Sequence, residues 1–427
     1  MPLDPATNKN IPPVVFILLD AFRWDYLQPE ITPTLWKLKN EGIYAQKLRP
    51  SFGFCEIAES STGVRPDTSG LFTQLTFLDT KLSVSKRAYL STIEKLAKAV
   101  AWYGGRGSTK LGRLLTVDLI KPLLSDIKVD ALRYNIPLQL LPLLKAVEAR
   151  RYTEPNAFEC ESCFDILTQN GLSIYDETYV INSKVSGPDS DRITQLMGKA
   201  GDNLDLLMIY LGGCDEFGHV AGPGSDRLQK AIEEQDQWIA QLIEAFPTNT
   251  RFLIVGDHGM VPVTQTVDVQ EALSETMRGL VHSRDYILFL DSTLARVWWN
   301  NANAGRALKA AFAKPPLSEL GIAIDKKEAQ SLNIPAPGDL YGHIIWRANP
   351  GVMIYPDYFN NTVPVGMHGY PTDLDEQKGM AIVWGKDISQ QKLSEVELID
   401  ICPTICDLFQ LPFPAQNQGQ SLLAYPG

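Results

Sequence analysis

The chain has 427 residues, 44% of them apolar, and carries 50 Asp and Glu against 39 Lys and Arg for a net charge of −11. That length and apolar content predict a large core, arranged as one big domain with insertions or as two domains. The acidic balance excludes a broad nucleic-acid or anionic-membrane surface, so any phosphate handled here must meet local positive charge such as metal ions.

The opening MPLDPATNKNIPP has no basic region ahead of a long apolar run, and no later stretch reaches the roughly 18–20 apolar residues of a membrane span. Six cysteines without a regular framework suit a reducing compartment. Cys160 and Cys163 form one C-x-x-C, but a zinc knuckle needs a second pair and none follows. These features predict a soluble, cytoplasmic protein without stable membrane insertion, and they leave its oligomeric state open.

The first strand signal is "VVFILLD", a buried run ending at Asp20, followed by "TPTLWKLKNEG" (32–42), a helix with a Thr cap signal and a closing Gly. Residues 76–180 are rich in Leu, Lys and Arg at helical spacing and read as a mainly helical insertion, a candidate cap over the site. Its apolar helices at 110–147 leave a lipid-linked substrate open. "DLLMIYLGGCD" is a further buried strand ending at Asp215. Behind Ser225 as N-cap, residues 225–246 repeat Leu228, Ile232, Ile239, Leu242 and Phe246 at helical spacing. "RFLIVGDHG" ends a strand at Asp257 and His258, and residues 266–365 mix short strands with Pro-rich loops, as a small α+β insertion does. "GMAIVWG" (379–385) is the last buried strand.

Buried strands alternating with helices predict an α/β fold: a doubly wound, mostly parallel sheet flanked by helices, with ligands beyond the carboxyl ends of its strands. The catalytic core is then 10–75, 181–265 and 366–427. Three of only five His lie in acid-containing clusters, "CDEFGHVAGPGSD", "GDHGM" and "GMHGYPTD". With Asp20 they supply six oxygen or nitrogen donors: Asp20, Asp215, His219, Asp257, His258 and His368. Six such donors suffice for two divalent ions with three protein ligands each and open positions for substrate; imidazole with carboxylate favours Zn²⁺, with Mn²⁺ or Fe next and Mg²⁺ or Ca²⁺ disfavoured. Two ions about 4 Å apart suit hydrolysis of a phosphate or sulfate ester.

The same segments resemble the alkaline phosphatase superfamily, specifically its type I phosphodiesterase/nucleotide pyrophosphatase branch. "LLDAFRWDYL" is similar to that branch's D-G-x-R-x-D-Y-L, with Ala21 in place of Gly, and "STGVRPDTSG" to its T-G-x-x-P-x-x-x-G. "DEFGHVAGPGS", "GDHGM", "HGYPTDLDEQKGMAIVWG" and "LIDICPTICDLFQLPFPAQNQGQSL" follow in family order. The resemblance implies one ion on Asp215, His219 and His368, and the other on Asp20, Asp257 and His258. It also implies a dimetal hydrolase of phosphate esters, cutting a phosphodiester or nucleotide-type pyrophosphate bond; with the acidic charge and the apolar helices beside it, the expected partner is a small phosphorylated substrate, nucleotide- or lipid-linked, and no nucleic-acid polymer. Phosphomonoester, phosphonate or phosphomutase chemistry on the same site is the alternative within enzymes, and a metal-binding relative without turnover is the alternative outside them.

One segment departs from the family. The covalent nucleophile, Thr or Ser, stands ten residues before the Gly of the T-G pair, and here that position is Gly53; the substrate-contacting Asn three residues on is Glu56. Three readings stand side by side. Cys55 attacks as a thiolate, although a two-residue shift turns a helical side chain by about 200°; Ser51 reaches in from a rebuilt loop; or a metal-bound hydroxide attacks, with Glu56 as ligand or base. Formylglycine sulfatase chemistry does not fit, because the Cys-x-Pro-x-Arg context is absent. Arg23 and Arg65 read as structural rather than substrate contacts, Trp298 and Trp299 as a core pair, and His282 and His343 match no family position.

Overall fold

The computed structural model describes residues 11–77, 135–137, 140–147, 150–178, 188–282 and 284–426, with a few positions between 85 and 96. It divides into two compact units, one made of 1–72, 150–262 and 365–427, the other of 73–149 and 263–364.

The first unit is built on seven strands: β1 (Val14–Leu19), β2 (Ile43–Arg49), β3 (Ile174–Glu177), β4 (Leu206–Leu211), β5 (Arg251–Gly256), β6 (Gly379–Trp384) and β7 (Gln391–Glu397). They lie in the order β7-β2-β6-β5-β1-β4-β3. β3, β4, β1 and β5 pair in parallel, β7 is parallel to β2, and only β6 is reversed against its neighbours β2 and β5. The uninterrupted burial of β1, from Val14 to Leu19, follows from helices on both faces of a parallel sheet.

The helices that matter for the site are α1 (Pro33–Glu41), α2 (Glu56–Thr62), α3 (Cys163–Gln169), α4 (Asp189–Met197), α5 (Gly213–Ala221), α6 (Asp226–Ala245) and α7 (Ile401–Leu408). α6 buries Leu228, Ile232, Ile239 and Leu242, the face expected from spacing, and the Ser225 hydroxyl accepts from Leu228 N as expected of an N-cap. At α1 the expected Thr cap is replaced. Thr32 makes no side-chain cap bond, and the buried Asp236 of α6 accepts from Thr34 N at 3.0 Å and Leu35 N at 2.8 Å. One carboxylate thus satisfies two orphan donors and fastens two helices together.

The second unit holds a four-stranded antiparallel sheet of Tyr286–Leu290, Leu294–Trp299, Ile344–Ala348 and Gly321–Ala323. Arg296, fully buried, pairs with Asp291 at 3.1 Å and donates to Thr73 Oγ1 and the Leu75 carbonyl. Trp298 is core, as expected, and donates its indole N–H to the Asp339 carbonyl.

Two expected boundaries are corrected. The segments read as separate insertions, 76–180 and 266–365, do not stand apart: Thr73–Ala149 and Val263–Pro364 form one unit, tied by the Arg296 bonds. Residues 150–178 belong instead to the core unit, because β3 is the sheet's edge strand beside β4. The apolar helices expected at 110–147 fall largely outside the described residues. Among the described residues no helix is long and apolar enough to cross a membrane.

Replacing Asp236 by Ala leaves two helix N–H groups and a buried contact unmet. We expect a loss of about 2 kcal/mol of stability, read from the denaturant midpoint, with metal uptake unchanged.

Candidate metal centre

The carboxyl ends of β1, β4 and β5 deliver the acids expected there. Asp20 follows β1, and Asp257 with His258 follows β5. Asp215 sits in the first turn of α5, just after β4, and His219 comes one helical turn later on the same face. His368 arrives from the other direction: it follows the short strand Gly366–Met367, which pairs with Val261–Pro262 beyond β5. The reversed β6 then begins at this same edge, where a Cβ on Gly379 would lie 1.7 Å from the Gly256 carbonyl oxygen. Only glycine permits that approach.

Three donor groups result, each with ligand atoms within 4.8 Å of one another: Asp20, Asp257 and His258; Asp215, His219 and His368; and Glu56, His258 and His368. The first two are the triads implied by the sequence resemblance. The third adds Glu56, and none of the three contains Cys55.

The imidazoles are oriented as ligands. His219 Nδ1 lies 2.8 Å from the Gly366 carbonyl and His258 Nδ1 2.9 Å from that of Gly259, so each donates from Nδ1 and turns Nε2 inward. His258 Nε2 is 2.9 Å from Asp20 Oδ1, and His219 Nε2 is 3.1 Å from Asp215 Oδ1. The His258 and His368 rings stack with centroids 4.1 Å apart and 18° between planes. The carboxylates are held as firmly. Asp257 Oδ1 accepts from Ala21 N at 3.1 Å and His258 N at 2.9 Å, and the Tyr210 hydroxyl donates to Asp20 Oδ2. Ala21 has a φ of 57°, the left-handed region that explains the family's glycine at this position.

The electrostatics describe a site built for cations. Burial and the charge of Asp215 raise Asp20, and burial with the charge of Asp20 pushes Asp257 up to about 7 against the pull of His258. Burial opposes ionisation of Asp215 too, yet the His219 and His368 charges hold it below the usual carboxylate range. Burial would lower His258, but the charges of Asp257 and Asp20 hold it well above its ordinary value. His368 is pushed well below by burial and by His258. His368 Nδ1 is buried without a hydrogen-bond partner. Carboxylates and imidazoles gathered this closely fit divalent ions.

The remaining site expectations are resolved unevenly. Glu56 is the first residue of α2, and burial pushes its carboxyl up to about 8. Cys55 is the buried N-cap residue of α2. Ser51 is turned away, donating from its hydroxyl and its amide to Glu59. Gly53 has a φ of 139°, and a Cβ there would lie 2.3 Å from the Phe72 carbonyl oxygen. Arg23 is held by Asp25 and by the Met260 carbonyl at 3.0 Å, and Arg65 by Glu397, which suits structural roles. In the second unit, His282 accepts from Leu288 N and His343 from Trp299 N. The C-x-x-C joins no candidate metal group among the described residues. Tyr210 was not among the expected site residues; its signal was a polar hydroxyl inside an otherwise apolar strand.

Residues 14–371 match the family model described as Type I phosphodiesterase / nucleotide pyrophosphatase. The chain belongs to that family. It is 24% identical over 265 residues to mouse ectonucleotide pyrophosphatase/phosphodiesterase family member 3, covering 59% of this chain and 25% of the relative. It is 20% identical over 429 residues to venom phosphodiesterase 2 of Crotalus adamanteus, covering 95% of this chain and 46% of the relative. The chain thus spans from a quarter to about half of the length of these curated relatives. Among solved structures it is similar to an inactive variant of murine ectonucleotide pyrophosphatase/phosphodiesterase 5 in complex with AMP. The TM-score is 0.67 at 16% identity, covering 95% of this chain and 97% of that one. The alkaline phosphatase-like fold expected from sequence is therefore shown. The family is metal-dependent, and the two triads are among the groups of the described residues that could hold an ion.

Two substitutions check the geometry. Tyr210→Phe removes the hydroxyl that holds Asp20 and is expected to weaken metal affinity about 10–100-fold, measured by calorimetric titration. Gly53→Thr restores the family's residue type against the Phe72 carbonyl, and we expect a lower unfolding midpoint with no gain in turnover.

Proposed function

We propose that this chain is a dimetal-dependent hydrolase of phosphate esters that cuts a phosphodiester or a nucleotide-type pyrophosphate bond. The observation that carries the reading is the pair of triads at one sheet edge, Asp20–Asp257–His258 and Asp215–His219–His368. Imidazole and carboxylate donors together favour Zn²⁺, with Mn²⁺ or Fe as alternatives. Two bound ions would supply the positive charge that an acidic chain otherwise lacks, polarising the phosphoryl oxygens and holding the leaving oxygen.

The chain's own residues supply the rest. Tyr210, Ala21 N and the carbonyls of Gly259 and Gly366 fix the ligand atoms before substrate arrives. Phe54, edge-on to His368 with centroids 5.6 Å apart, offers an apolar wall beside the ligand set. The substrate is a small phosphorylated molecule; the AMP bound by the murine relative supports a nucleotide type. Six buried thiols support action in a reducing compartment, the cytoplasm.

The absence of a hydroxyl at Gly53 favours one second reading, a relative that binds metal and does not cut. The assay that separates them uses chain loaded with Zn²⁺ or Mn²⁺ on a chromogenic phosphodiester, phosphomonoester and sulfate ester. We expect preference for the diester, loss of turnover with chelator, and loss of at least about 10³-fold in His368→Ala or Asp257→Ala. Full activity in either variant would sink the assignment, and no turnover on any ester by the metal-loaded chain would favour the silent relative.

A further inference from the structure

Glu56 deepens this reading and rests on it. Its carboxylate lies within 4.8 Å of nitrogens of both His258 and His368, which belong to different triads. Because those two rings stack 4.1 Å apart, a side chain that reaches both stands at the seam between the ion sites. The family pattern provides no acid there; the resemblance puts Asn at this position. A carboxylate has two oxygens with lone pairs to spare, so it can place one on each of two neighbouring ions.

The same short segment withdraws every other attacking group. Gly53 has no side chain and no room for one, since a Cβ would lie 2.3 Å from the Phe72 carbonyl oxygen. The Ser51 hydroxyl is committed to Glu59. The Cys55 thiol joins none of the donor groups around the ligands, whereas its neighbour Glu56 does.

We propose that Glu56 is a seventh protein ligand, shared between the two ion sites at the place that the family gives to its substrate-contacting Asn. With it comes a change of mechanism: the ester is cleaved by direct attack of water, without a covalent enzyme intermediate. The water oxygen bonds to phosphorus as the bond to the leaving oxygen breaks with its electron pair. One water proton ends on the leaving oxygen by way of solvent, so a diester and water give a monoester and an alcohol. A single displacement inverts configuration at phosphorus, whereas two displacements through an enzyme-bound ester retain it.

The test strips wild type, Glu56→Gln and Glu56→Asp with chelator and titrates each with Zn²⁺, following heat and bound metal. Wild type is expected to take two ions per chain, Glu56→Gln to lose at least about tenfold in affinity for one or both, and Glu56→Asp to recover part of it. Undiminished affinity in a folded Glu56→Gln chain overturns the shared ligand and leaves the dimetal reading standing; a wild type that binds no zinc removes both. Should the Gln variant unfold, zinc-edge anomalous diffraction on wild type decides instead, with Glu56 oxygens expected about 2.0–2.2 Å from each ion. Hydrolysis of a chiral phosphorothioate diester in ¹⁸O water is expected to invert configuration, and retention overturns the direct attack.

Discussion

The first unit is organised around one electrostatic constraint: buried carboxylates must sit next to one another and keep their charge. Asp20, Asp215 and Asp257 converge with Glu56 where burial alone would neutralise them, as the raised Asp20, Glu56 and Asp257 show. An isolated buried carboxylate costs several kcal/mol or takes up a proton. Here the cost is offset locally by backbone N–H groups on Asp257, a phenol on Asp20 and imidazoles on all three aspartates. What those partners leave over, carboxylates still raised at Asp257 and Glu56, is the part that a cation would complete.

The sheet topology follows from the same need. Parallel strands put the ends of β1, β4 and β5 at one edge, and this explains three of the deliveries. The sixth ligand cannot come that way, because His368 precedes its strand. Reversing β6 solves this: its first residues meet the end of β5 at Gly256 and Gly379, so a chain entering β6 passes the site before it reaches the sheet. Two glycines in contact are the local condition for that geometry.

Much of this was legible from sequence because the ligand segments are short and each is attached to a strand. "VVFILLD" and "RFLIVGDHG" announce both a buried strand and what stands at its end. The partners that hold the ligands were not legible, since they lie far away in the chain. Tyr210 and Asp20 are 190 positions apart, and Asp236 caps α1 across 202. β3 was hidden for a different reason: Ile174–Glu177 is half-buried throughout and shows neither alternation nor an apolar run, as suits an edge strand. Its omission moved the expected unit boundary, and nothing in local pattern could have placed Thr73 beside Arg296.

Glu56 carries the same constraint into the chemistry. Without it, two divalent ions facing Asp20, Asp215 and Asp257 would leave one positive charge unmatched; with an ionised Glu56 the acids and ions balance. A site with surplus positive charge gains from a substrate that brings more negative charge, while a balanced one gains less, because the attraction scales with the product of charges. A phosphodiester carries one negative charge and a phosphomonoester up to two, so a balanced site gives up more of its pull on the monoester. The acid that takes the seam would then also tilt the site toward diesters, and the loss of a hydroxyl at Gly53 and the gain of a carboxylate at Glu56 become two halves of one change.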